Sequence, residues 1–92
     1  MEKKYFVYIL LTERNTLYCG YTDNPEKRFL AHCEGKGAKY TRANKPVKIV
    51  YQEEFSTKHE AMQAECKIKS MSRKQKLDLI KSPQNLLVQS PV

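Results

Sequence analysis

Apolar residues along the chain fall into blocks whose spacing changes from strand-like to helical. Tyr5-Phe6-Val7-Tyr8-Ile9-Leu10-Leu11 is an aromatic and β-branched run that predicts a buried strand. Thr12 to Thr16 is polar and contains Asn15, as a short hairpin loop requires, and Leu17 to Thr22 reads as the returning strand. Asp23-Asn24-Pro25-Glu26 then opens a helix with a capping side chain, a proline and an acid in the first turn. That helix is expected to run to about Glu34 and to stop at Gly35. Residues 35–46 form a basic loop. Val47 to Phe55 follows as a third strand, with Val47, Ile49 and Tyr51 alternating against Lys48, Val50 and Gln52. Thr57 and Glu60 make a capping box before a helix from about Lys58 to Ser70. Ser72 and Gln75 repeat that signal before a short basic helix ending near Lys81. The order β-β-α-β-α-α, with an antiparallel hairpin at its start, predicts an α+β fold. Residues 1–82 form one domain, and Ser82-Pro83 begins a frayed tail over residues 83–92.

Composition narrows the partners more than the fold. Ninety-two residues make one core, and Lys+Arg 17 against Asp+Glu 10 leaves a net charge of +7. Such an excess favours a polyanion, nucleic acid first and an anionic membrane surface second. No apolar run is long enough to span a bilayer, and no secretory signal is visible, so a cytoplasmic protein is expected. Cys19, Cys33 and Cys66 are odd in number and widely spaced, which excludes a disulfide framework or a zinc knuckle and leaves single thiols.

Four sets of residues could carry chemistry. On the helical projection Ala61, Ala64 and Ile68 share a stripe, and Glu65 sits at its edge. A carboxylate there needs a partner, either a lysine in a salt bridge or a metal ion. Arg28 and His32 are i,i+4 on the first helix and offer a phosphate fork beside a group that titrates near neutrality; a solvated polar face would have the same spacing. Tyr8 and Tyr18 lie on the two hairpin strands, either as core aromatics or as phenols that position a water or a phosphate oxygen. Gly20, inside a strand, marks a bulge or a close approach of something to the backbone. Met62, Met71, Phe6, Phe29 and Phe55 read as core, and His59 as exposed.

Together these residues resemble the GIY-YIG nuclease superfamily over roughly Tyr5 to Lys81. The two half-motifs stand here as Phe6-Val7-Tyr8 and Tyr18-Cys19-Gly20. The run from Gly20 to His32, the stretch from Gly35 to Thr41, and Ala61-Met62-Gln63-Ala64-Glu65 are similar to the later blocks. The Lys-rich ending resembles the small single-domain bacterial branch. Phe6, Val7 and Cys19 depart from the motif at packing positions, while both tyrosines and Gly20 remain. The resemblance implies a three-stranded antiparallel sheet flanked by helices and metal-dependent phosphodiester hydrolysis. Tyr8 and Tyr18 would line the site, one of them helping to activate or orient water. Arg28 would hold the scissile phosphate, and His32 would be an accessory acid or base. Glu65 would be the protein ligand of one Mg²⁺ or Mn²⁺ ion.

Lys36, Lys39, Arg42 and Lys45 of the basic loop, with Lys69, Arg73 and Lys74 nearer the end, are candidate phosphate contacts. Tyr40 is placed with them, at a position where some relatives carry a polar catalytic partner. Such contacts bind without sequence specificity, so a protein partner would supply it. The expected function is a metal-dependent endonuclease on DNA, rather than RNA, with branched, nicked or single-stranded forms in repair or recombination as substrates. A monomer with no membrane association is expected. The alternative is a nucleic-acid-binding module of the same fold with little activity in the absence of a partner. A protein adaptor would have no need of Tyr8, Tyr18, Arg28 and Glu65 together.

Overall fold

Local hydrogen bonds at the Thr12–Thr16 turn start the fold. In the computed structural model, which describes residues 3–87, the Thr12 hydroxyl lies 2.6 Å from that of Thr16 and also accepts from the Thr16 N–H. Asn15 takes the left-handed conformation that closes the turn (φ 62°). The turn joins β1 (Tyr5–Thr12) to β2 (Leu17–Thr22). β3 (Pro46–Phe55) pairs with the other side of β1, giving an antiparallel sheet in the order β2-β1-β3.

The helices begin and end where the capping chemistry indicates. Asn24 accepts from the Lys27 N–H at the start of α1 (Pro25–Cys33), and Pro25 occupies its first turn. At the other end Gly35 turns left-handed (φ 78°), while its N–H and that of Lys36 bond back to His32 and Ala31. Thr57 caps α3 (Lys58–Lys69), and a reciprocal Ser72–Gln75 capping box opens α4 (Arg73–Ile80). The basic loop departs from expectation, because residues Lys39–Ala43 form a short helix, α2. Its N-cap residue, Ala38, offers no capping side chain, so the usual sequence signal is absent.

The alternation of the sheet sorts its residues onto two faces. Val7, Ile9, Cys19 and Tyr51 meet Ile68 of α3 to form the core, with Ala64, Met71, Leu79 and Ile80 packed around it. Tyr8, Leu10, Tyr18 and Gly20 face the opposite way, towards α1. β3 does not keep a simple period of two. The register shifts between Ile9 and Leu10, and again between Leu11 and Thr12, leave Val50 and Val47 as extra residues on β3. Val50 is thereby packed against the core while Val47 stays 55% exposed. Among the expected core residues, Met71 and Phe55 pack as foreseen, Phe6 and Phe29 are half-buried, and Met62 is exposed on the outer side of α3.

The segment after α4 is tied down as far as it is described. Asn85 is fully buried, donates to Val50 and Ile80 carbonyls at 2.8 Å, and accepts from Gln52 and Leu87 N–H groups. Residues 83–87, expected as the start of a frayed tail, thus line the free edge of β3. The rest of that expected tail, residues 88–92, lies outside the described residues.

Candidate active site

Tyr8 and Gly20 stand opposite each other in the β1–β2 ladder. With no side chain at Gly20, the Tyr8 ring lies against the β2 backbone, and its hydroxyl reaches His32 Nε2 at 2.9 Å. Both residues are almost completely buried (2% and 1% exposed). His32 is held from behind as well: its Nδ1 lies 2.7 Å from the Thr41 hydroxyl, which donates to the Ala38 carbonyl at 2.9 Å. The His32 and Tyr18 rings meet edge to face, and Tyr18 stacks on Tyr40 with ring centres 5.8 Å apart. The reading of Tyr8 and Tyr18 as neighbours across the ladder therefore holds, although they meet diagonally through His32 rather than as a direct cross-strand pair.

Burial governs the titration of this pair. It pushes the Tyr8 phenol up to about 12, against the pull of the Arg28 guanidinium beside it. Burial also lowers the His32 pKa, and the Arg28 charge lowers it further, so His32 is neutral at physiological pH. Tyr8 is thus a protonated phenol hydrogen-bonded to a neutral imidazole.

Tyr8 opens onto a cleft of about 500 Å³ along the free edge of β2. Tyr18, Gly20 and Tyr21 supply its floor, Arg28 enters from α1, and Glu65 enters from α3. The i,i+4 spacing places Arg28 one helical turn before His32, so one helix both supports Tyr8 from below and presents a cation beside it. Glu65 is 18% exposed and pairs with Lys69 at 3.6 Å, so the salt bridge open to it from sequence is formed. This ion pair is longer than a good charge-assisted hydrogen bond.

Among the described residues no group of three or more His, Cys, Asp and Glu side chains is gathered for a metal. The donor set does fit a hard divalent ion, which takes one or two carboxylates and keeps water or phosphate oxygens in its remaining positions. Glu65 would be that carboxylate. Asp23, also at the cleft, is engaged with Lys3 at 2.9 Å.

The structure brings Tyr8, Tyr18, Arg28 and Glu65 to one cleft, with His32 directly behind Tyr8. Lys36, Lys39, Arg42, Lys45, Lys69, Arg73 and Lys74 are all exposed, and none lines the cleft. Arg42 and Lys45 instead border a separate depression behind His32. Lys3 and Lys58 were not anticipated, yet with Arg28 they are the cations that line the cleft. No local pattern marks them, because Lys3 only precedes β1 and Lys58 is the first residue of α3, away from Tyr8 and Glu65 in sequence. Thr41 and Gly37 were likewise missed. A Cβ on Gly37 would overlap His32 Nδ1, so that glycine leaves the room in which the imidazole sits.

A three-stranded antiparallel sheet thus presents paired tyrosines, with an arginine and a glutamate from flanking helices, over one cleft. Residues 4–78 match the family model described as the GIY-YIG catalytic domain, and the chain belongs to that family. It is 54% identical over 77 residues to a UPF0213 protein of Staphylococcus haemolyticus, covering 84% of this chain and 94% of that protein. A UPF0213 protein of Bacillus licheniformis is 57% identical over 72 residues, covering 78% and 74%. The solution NMR structure of a UPF0213 protein from Bacillus halodurans is similar with a TM-score of 0.58 at 36% identity, covering 92% and 90% of the two chains. That of an E. faecalis protein is similar with a TM-score of 0.59 at 40% identity, covering 88% of each. No described helix is long and apolar enough to cross a membrane.

Proposed function

We propose that the chain is a divalent-metal-dependent endonuclease that hydrolyses phosphodiester bonds in DNA, acting on branched, nicked or single-stranded forms in repair or recombination. The observation that carries this is the Tyr8–His32 hydrogen bond of 2.9 Å set beneath a cleft that Arg28 and Glu65 enter from opposite helices. Family membership supports phosphodiester chemistry, and the net charge of +7 supports a polyanionic substrate.

Arg28 binds the scissile phosphate and offsets the charge that builds on it in the transition state. Tyr8 takes a proton from the attacking water as its own proton passes to His32 Nε2, so the phenol is never required to become a free phenolate. Tyr18 orients the water or a phosphate oxygen at the cleft floor. The new P–O bond forms as the P–O bond to the leaving sugar oxygen breaks, and that oxygen takes a proton from solvent. Glu65 would hold one Mg²⁺ or Mn²⁺ ion, which would supply Lewis-acid stabilisation of the developing negative charge. Lys3 and Lys58 hold flanking phosphates, while the exposed lysines and arginines of α2, α3 and α4 add salt-sensitive, sequence-independent attraction. The protein works as a monomer in the cytoplasm, with a partner supplying specificity.

The test is cleavage of duplex, nicked, forked and single-stranded DNA, and of RNA, in Mg²⁺, Mn²⁺ or EDTA, with Glu65→Ala and Arg28→Ala beside the wild type. Metal-dependent cutting by the wild type alone is expected. Cutting by Glu65→Ala at the wild-type rate, or undiminished cutting in EDTA, would overturn the metal role. Salt-sensitive binding without cutting would instead favour the nucleic-acid-binding module.

A further inference from the structure

We infer that Thr41 is a positioning residue that fixes the tautomer of His32, leaving Nε2 bare to receive the Tyr8 proton. The inference deepens the proposed acid–base role of Tyr8 and His32 and rests on it. A threonine hydroxyl has a single proton to donate, whereas a carbonyl oxygen can only accept. Thr41 Oγ1 lies 2.9 Å from the Ala38 carbonyl and 2.7 Å from His32 Nδ1. Both contacts are satisfied when the hydroxyl proton goes to Ala38 and the Nδ1–H donates to Oγ1. With its proton on Nδ1, the neutral imidazole presents a lone pair at Nε2, 2.9 Å from the Tyr8 hydroxyl. The resulting chain runs in one direction: Tyr8 O–H to Nε2, Nδ1–H to Thr41, Thr41 O–H to Ala38. The Ala38 N–H approaches Nδ1 at 3.4 Å and would favour the opposite tautomer, but it is the longest contact of the set.

The surroundings are built to keep this geometry. Thr41 is 2% exposed, so water does not compete for its hydroxyl. It sits in α2, where its own N–H and that of Arg42 also donate to Ala38. The imidazole fits only because Gly37 has no side chain there. With the opposite tautomer, Nε2–H would donate to the Tyr8 oxygen, and no lone pair at Nε2 would remain to receive the Tyr8 proton. Thr41 does not line the cleft and its hydroxyl bonds to His32 and Ala38, so it acts through His32.

Nitrogen-15 NMR of the imidazole rings reads the tautomer directly in the intact protein, with His59→Gln removing the other histidine signal. The wild type should show the proton on Nδ1 and a bare Nε2. Thr41→Val, close in shape but without the hydroxyl, should shift the population towards Nε2–H, and Thr41→Ser should restore the wild-type spectrum. In cleavage assays Thr41→Val should lower kcat by about 10²-fold, the lower end of what a positioned acid–base pair contributes, at unchanged KM. Thr41→Ser should recover most of that loss. An Nε2–H tautomer in the wild type, or a spectrum unchanged in Thr41→Val, would overturn the assignment. If Thr41→Val does not fold, the wild-type spectrum and Thr41→Ser still decide it. Because the NMR result needs no turnover, a protein that cuts nothing would defeat the nuclease proposal while leaving the tautomer assignment separately tested.

Discussion

Tyr8 and Gly20 are partners across the β1–β2 ladder, and the missing side chain of one makes room for the ring of the other. A Cβ at Gly20 would lie 2.6 Å from Tyr8 Oη and 2.8 Å from Cζ. The contact joins sheet register to chemistry, since the same ring reaches His32 at its far end. A glycine that weakens a strand is retained here at the point where a phenol must cross the backbone.

Gly20→Ala should therefore damage the site more than the fold. The ring must tilt away from the added methyl, which stretches its hydrogen bond to His32. Overpacking of this kind costs about 1–3 kcal/mol. Urea unfolding should show that loss, while cleavage should fall well below what the remaining folded fraction explains. A variant that cuts at the wild-type rate would show that Tyr8 need not hold its present position.

The three thiols should differ sharply in reactivity. Cys19 is 4% exposed, and burial pushes its thiol up to about 12, with the Glu65 carboxylate adding to the rise and Lys69 and Lys76 opposing it. Cys66 is exposed on α3. Titration of the native protein with Ellman's reagent, followed by peptide mass mapping, should label Cys66 first and Cys19 only after denaturation. Rapid labelling of native Cys19 would contradict the packing of β2 against α3.

Stability should weaken on mild acidification because His32 is buried as the neutral base. Its folded pKa is lowered from 6.5 by burial first and by the Arg28 charge second. Tyr8 from β1, Tyr18 from β2 and Thr41 from α2 also surround the ring. Between the folded pKa and 6.5 the unfolded chain binds more protons, so stability rises with pH through that window. The contribution is complete above 6.5 and is lost as pH falls towards the folded value. The exposed Lys3–Asp23 pair lowers the Asp23 pKa from 3.8, so its effect is confined to stronger acid. Urea midpoints from pH 8 to pH 5 should show the decline, and His32→Gln should flatten it relative to the wild type.

Asn85 should matter to stability without touching catalysis. Replacing it with alanine strands the Val50 and Ile80 carbonyls and the Gln52 and Leu87 N–H groups that it now satisfies. Each buried group left without a partner costs about 1–3 kcal/mol where water cannot enter. A clear drop in the thermal midpoint is expected, with kcat of the folded protein unchanged. If the midpoint does not move, residues 83–87 contribute nothing to the edge of β3.

Much of this domain is decided within a few residues of chain. The Thr12–Thr16 turn and the caps at Asn24, Thr57 and Ser72 follow from hydrogen bonds that side chains make to nearby backbone, and the stop at Gly35 from the left-handed backbone that glycine adopts freely, so the sequence alone located them. The family motif likewise singles out Tyr8, Tyr18, Arg28, His32 and Glu65 from sequence. Folding decided how those residues meet. Register placed Gly20 under Tyr8, two bulges carried Val50 to the core and left Val47 outside, and the packing of α2 brought Thr41 behind His32. Asn85 reaches back more than thirty residues to Val50, and Lys3 and Lys58 share a cleft although they stand at opposite ends of the sheet's chain order. Periodicity says which face of an element is apolar. It does not say which distant face will cover it, because that choice depends on pairing register and on the volume left between packed elements.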